Sequence, residues 1–137
     1  MKNENDPVNH PDHYTFYKAI YEPYDATKNL PHPMASAVEY ILRAPYKGSE
    51  MTDLRKADWW LTCFLDNRNL LDGVRDAFMD AYKAAPLASM CSNVALLSVW
   101  WKDIVSGGAT DSVIYDATVD LRDGVRDRIS HTEALDD

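Results

Sequence analysis

Five of the seven prolines in this 137-residue chain, Pro7, Pro11, Pro23, Pro31 and Pro33, fall within its first 33 residues. Proline fixes φ and removes a backbone donor, so no long helix can form there. The same stretch is aromatic, with "YTFYKAIYEPY" at 14 to 24. It reads as an ordered arm laid over a core. Beyond Met34 only Pro45 and Pro86 interrupt the chain, and a helical period takes over.

Met34, Ala35, Val38, Ile41 and Leu42 recur at threes and fours. Pro33 suits a first helical turn and Pro45 closes the helix near Ala44. A second helix is expected from about 51 to 67, with Ser49 as its cap and Leu54, Ala57, Leu61, Phe64 and Leu65 on one face. Leu71, Val74, Phe78 and Tyr82 predict a third over about 69 to 84, ended by Pro86. Leu87, Cys91, Val94, Leu97, Trp101 and Ile104 lay a fourth stripe that stops at the "SGG" of 106 to 108. Ile114, Ala117, Leu121, Val125 and Ile129 lay a fifth, over about 110 to 130. The expectation is all-α, a compact single-domain bundle of about five helices with a proline- and aromatic-rich N-terminal arm. Both polar ends, "MKNEND" and "HTEALDD", look frayed.

Charge narrows the function classes. Asp and Glu number 22 against 14 Lys and Arg, a net charge of −8. Binding duplex nucleic acid needs a broad cationic surface, which this balance argues against, whereas a small anion needs only two or three cations. The longest mainly apolar run, "VALLSVWW" at 94 to 101, is far short of the about 20 residues that span a bilayer. Cys63 and Cys91 form no CxxC, so neither a disulfide framework nor a zinc signature is expected, and a reducing cytoplasm fits best.

Several clusters of reactive side chains have a plainer reading. Asp116, Asp120, Asp123 and Asp127 share one helix face, as carboxylates that hold Mg²⁺ can, but that face opposes Leu121 and Val125 and should be solvated. Asp72, Asp76 and Asp80 oppose Leu71, Val74 and Phe78 in the same way. The pentapeptide "DGVRD" occurs at 72 to 76 and at 123 to 127, too short to make a repeat. His10 and His13, in "HPDH", lack a third ligand nearby and suit a phosphate or base contact better than a metal, with Tyr14 beside them to stack. His32, between two prolines, reads as linker. Of the pairs Trp59 with Trp60 and Trp100 with Trp101, one ring each can reach the core while its neighbour points elsewhere. No GxxxxGK[ST], GxSxG or HExxH is present.

Arg43 and Lys47, four residues apart in "YILRAPYKG", complement the dipole at the end of the first helix. Asp53, Lys56 and Trp60 share a flank of the next helix, just outside its apolar face.

The blocks "DPVNHPDHY", "VEYILRAPYKG" and "DLRKADWWL" stand in that order. The arrangement resembles a family of small bacteriophage proteins with the pattern N-H-P-x-H-Y, then Y-[IL]-x-R-A before a K-G turn, then D-L-x-K-A-x-W-[YW]-L. The likeness covers about residues 6 to 66 and leaves 67 to 137 as additional helices. Where the family usually has a Gly-Ile-Glu stretch and a short helix, this chain has "TFYKAIYEPYDATKNLPHP". That family includes a P-loop-less kinase of deoxynucleoside monophosphates. The resemblance therefore implies a nucleotide-binding protein of the host cytoplasm, and a nucleoside monophosphate kinase if the chain is an enzyme. It implies Arg43, Lys47, Lys56 and Asp53 as catalytic positions and His10, His13, Tyr14 and Trp60 as substrate contacts. Mg²⁺ would accompany the nucleotide, without a protein metal site.

Two other functions fit the residues. One is a module that binds or sequesters a nucleotide without turnover. The other is an acidic protein that blocks a host nucleic-acid-binding protein through its carboxylate faces. A homo-oligomer is expected, and no membrane partner.

Overall fold

The computed structural model describes residues 22–46 and 48–136. The described residues form seven α-helices and no strand: α1 (Pro23–Thr27), α2 (His32–Arg43), α3 (Glu50–Leu65), α4 (Val74–Met79), α5 (Ala81–Cys91), α6 (Ala95–Ser106) and α7 (Asp111–Asp136). The protein is all-α. None of these helices is long and apolar enough to cross a membrane.

The three strongest stripes fold as their spacing dictates. Met34, Val38, Ile41 and Leu42 of α2 and Leu54, Ala57, Leu61 and Phe64 of α3 are buried against one another, so these helices pair as an antiparallel hairpin. A 3₁₀ turn at Ala44–Tyr46 joins them. The other side of α3 packs on α7, whose Ile114, Ala117, Leu121, Val125 and Ile129 all face inward. Helix α6 lies along α7, and α1 is held against α2 and α5. One buried cluster, in which Phe64, Trp100, Leu61 and Met34 are among the largest members, runs through all of these layers. Emptying a site such as Leu61 should cost about 2–5 kcal/mol. Trp100 stays satisfied inside by donating its indole N–H to Thr118 Oγ1 at 3.2 Å, while Thr118 donates to the Ile114 carbonyl at 2.7 Å.

The stretch expected as one helix over 69 to 84 is broken into a 3₁₀ turn at Arg68–Leu71, then α4, then the start of α5. Gly73 enters α4 at φ 78°, and Asp80, at φ −79° and ψ 111°, ends α4 and begins α5. The Asp80 carboxylate accepts from the amides of Tyr82 and Lys83, a side-chain cap that reorients the chain. Tyr82, expected inside, is 91% exposed as a result. Pro86 does not end a helix but sits within α5. The carbonyl it leaves unpaired, one turn back, belongs to Tyr82, where water can reach it. A further break at Ser92 to Val94 separates α5 from α6.

The C-terminal end, expected to fray, is helical to Asp136. Glu133 meets Arg55 of α3 there, which ties down the extra turns. Helix α6 closes as the "SGG" signal requires: Gly108 at φ 84° donates to the Val105 carbonyl at 3.2 Å, and Ala109 to that of Ile104 at 2.9 Å. Ala109 itself takes φ 52°. The resulting reversal is short, and a Cβ on Gly107 would come within 2.7 Å of Val113.

Candidate functional site

Helices α2 and α3 run antiparallel, so a residue late in one meets a residue early in the other. Three such meetings follow in sequence along one side of the hairpin. Arg43, in the last turn of α2, brings its Nε to 3.8 Å from Oδ2 of Asp53, in the first turn of α3. One turn along, Lys56 places Nζ 5.4 Å from the centre of the Tyr40 ring, and the Arg43 guanidinium lies 5.3 Å from the same ring. At the far end His32 meets Trp60 edge-on at 5.0 Å, and Trp60 meets Trp59 at 4.8 Å.

Two cations from two helices thus share one aromatic ring. Each attraction is worth about 0.5–1 kcal/mol where water has access, enough to bias both side chains toward the ring without fixing them. The Arg43 Nε is buried yet has no hydrogen-bond acceptor among the described residues. Arg122 Nε on α7 shares that property, so it does not by itself mark a site. The convergence with Lys56 does distinguish Arg43.

Asp53 does not lie outside the apolar face, as its spacing suggested, but is 2% exposed, one of three buried polar residues among those described. Its position in the first turn of α3, where the helix dipole favours an anion, explains how a carboxylate tolerates that burial. Ser49 does not cap the helix with its hydroxyl; its Oγ is 3.4 Å from Asp53 Oδ2. The carboxylate therefore faces Ser49 and Arg43, and holds the guanidinium near the end of α2.

Beside Arg43 is a hollow of about 160 Å³ lined by Ser36, Glu39, Tyr40 and Arg43. Burial pushes the Glu39 carboxyl above its ordinary value of 4.5, opposed in part by a hydrogen bond with Thr27 and by the charges of His32 and Arg43. His32 is not linker but the first residue of α2.

The structure therefore brings Arg43, Asp53 and Lys56 together, with Trp60 one turn beyond Lys56. Trp60 is half-buried against the core, whereas Trp59 is 61% exposed and offers the more open ring face. His10, His13, Tyr14 and Lys47 lie outside the described residues. Sequence reasoning passed over Tyr40, Glu39 and Ser36. Tyr40 stands three residues before Arg43, and that spacing alone could have placed its ring under the guanidinium. Glu39 depends on Thr27 and His32, which no local pattern connects to it. The acidic residues of α7, Asp116, Asp120, Asp123 and Asp127, are solvent-exposed as expected. Cys91 is fully buried, and burial pushes its thiol up to about 12, which leaves it inert at neutral pH.

A family described only as a protein of unknown function, DUF3310, matches residues 8–62. The match covers less than half of the chain, spans all of α2 and most of α3, and includes every member of the cluster around Tyr40. No curated protein and no solved structure matches the chain.

Proposed function

We propose that the protein binds a nucleotide on the α2–α3 face, with Arg43 and Lys56 as phosphate contacts and the Trp59 and Trp60 end directed to the base. The observation that carries this reading is the convergence of Arg43 and Lys56 on Tyr40, with the Arg43 Nε lacking an acceptor among the described residues. A guanidinium already oriented by Asp53 offers a fork of donors, and a lysine adds a mobile charge. From Lys56 to Trp60 the helix rises about 6 Å, which suits a phosphate at one end and a ring system at the other.

The finer reading is transfer of a phosphoryl group from a nucleoside triphosphate to a nucleoside monophosphate, as the resemblance implies. The two cations would then stabilise charge on the transferring group. Among the described residues no three His, Cys, Asp or Glu side chains are grouped to hold a metal, and Asp53 is turned inward to Arg43. In this reading Mg²⁺ arrives on the nucleotide phosphates, and Asp53 positions Arg43.

A panel of nucleoside mono-, di- and triphosphates with Mg²⁺, titrated into wild type and Arg43→Ala by calorimetry, tests the reading. A saturable heat with one nucleotide class, weakened about tenfold or more in the variant, is expected. Absence of binding by any nucleotide ends it. Binding without formation of equal amounts of the two diphosphates from a triphosphate and monophosphate mixture removes the kinase step alone.

A further inference from the structure

Helix α7 sorts its charges by side. Its cations turn toward α3 and find partners there: Arg122 donates to Thr62, Arg126 to Asp58 and Arg128 to Glu50. Its acids do not. Asp116, Asp120, Asp123 and Asp127, and Asp103 across on α6, have no ion pair or side-chain hydrogen bond among the described residues.

Between those two helices runs a groove. It consists of two adjoining hollows of about 220 and 790 Å³ that share Ala95 and Leu96 as common walls. Ala117, Leu121 and Gly124 line it from α7, and Val99, 60% exposed, from α6. The larger hollow continues over Ile41, Pro45 and Leu54. Leu96 packs directly on the α7 backbone, since a Cβ on Gly124 would approach it to 2.7 Å. Asp103 and Asp120 stand at one hollow and Asp127 at the other. Arg128 and His131 also border the larger hollow, where Glu50 pairs with Arg128. From Ala117 to His131 the α7 wall is about 21 Å long, four helical turns.

We infer that the α6–α7 groove docks a cationic amphipathic helix of a partner protein, its apolar stripe seated over Leu96 and Val99 and its Lys or Arg residues meeting Asp103, Asp120 and Asp127. Charge complementarity selects this occupant. No Lys or Arg lines the smaller hollow beside Asp103 and Asp120, and at the larger one Arg128 is already engaged by Glu50, so the rim attracts positive charge, while the apolar floor suits anchors spaced three and four residues apart. The face is separate from the cluster around Tyr40, and the inference stands whether or not that cluster binds a nucleotide.

The test uses the full chain and a labelled 18-residue Leu/Lys peptide of amphipathic design, followed by fluorescence anisotropy. Three controls accompany it: a scrambled peptide of the same composition, the groove variant Asp120→Asn/Asp127→Asn, and Asp66→Asn/Asp72→Asn, which removes the same charge elsewhere. The expected result is saturable binding that weakens with salt, falls about tenfold for the groove variant and changes less than about twofold for the remote one. Equal losses in both variants, or equal binding of the scrambled peptide, would show only attraction to net charge and overturn the inference. So would a dimer in sedimentation that Val99→Asp dissociates, since the groove would then belong to a second copy of the chain.

Discussion

Toward α7, helix α3 presents Glu50 and Asp58, and each meets an opposite charge at hydrogen-bond distance: Arg128 at 2.8 Å and Arg126 at 2.9 Å. Toward α2 the same helix presents Asp53 and Lys56. There the ion pair is long at 3.8 Å, the lysine rests on an aromatic ring, and an arginine nitrogen lacks an acceptor among the described residues. The first side is an exposed seam in which direct pairing balances the charges. The second holds partly buried charge whose pairing is incomplete among the described residues. Exposed pairs contribute about 0–1 kcal/mol each, so the seam contributes modestly to stability. The other side is where substitution should change both folding and binding.

That contrast can be broken at its strongest point. Asp53→Ala should destabilise the fold by about 2 kcal/mol, because it removes a buried carboxylate that Ser49 and Arg43 face, as urea unfolding would measure. The guanidinium left behind is 28% exposed, so water moderates the loss. Lys56→Ala should weaken nucleotide binding by about tenfold while changing stability by less than about 1 kcal/mol; unchanged affinity in calorimetry would remove Lys56 from the site.

Glu39 sharpens the comparison through pH. Its folded-state pKa lies above its unfolded value, so the native state binds more protons in the window just above 4.5. Stability should therefore fall as pH rises through that window, and Glu39→Gln should flatten the slope in unfolding measured across it. The smallest effect belongs to the seam. Arg126→Ala should cost less than about 1 kcal/mol and leave nucleotide affinity unaltered, and a binding defect there would erase the distinction between the two sides.

How much of this was legible in the amino-acid sequence depended on whether local pattern or tertiary neighbours decided each residue. The inward face of α7 follows from an unbroken period with no proline. Between 69 and 84 the period misleads, because Asp80 caps a new helix with its side chain and Tyr82, in phase with Phe78, lies beyond that break. Local pattern makes Pro86 a stop, but the carbonyl it leaves unpaired one turn back belongs to exposed Tyr82, so α5 runs through it. "DGVRD" shows the limit of local reading. At 72 to 76 its glycine takes a left-handed φ of 78° before α4, whereas at 123 to 127 it lies inside α7 against Leu96. In the candidate site, Arg43 and Lys56 stood out as cations off the apolar stripes. The Tyr40 ring between them and the burial of Asp53 required the hairpin itself.

The tight reversal at Gly107 to Ala109 fixes how far α6 and α7 stand apart at one end, through backbone hydrogen bonds that involve no charged side chain. The carboxylates along the groove project from helices whose separation they do not determine. Shape and charge of that surface are therefore controlled by different residues. Mutation can retune what the groove attracts without altering what fits in it.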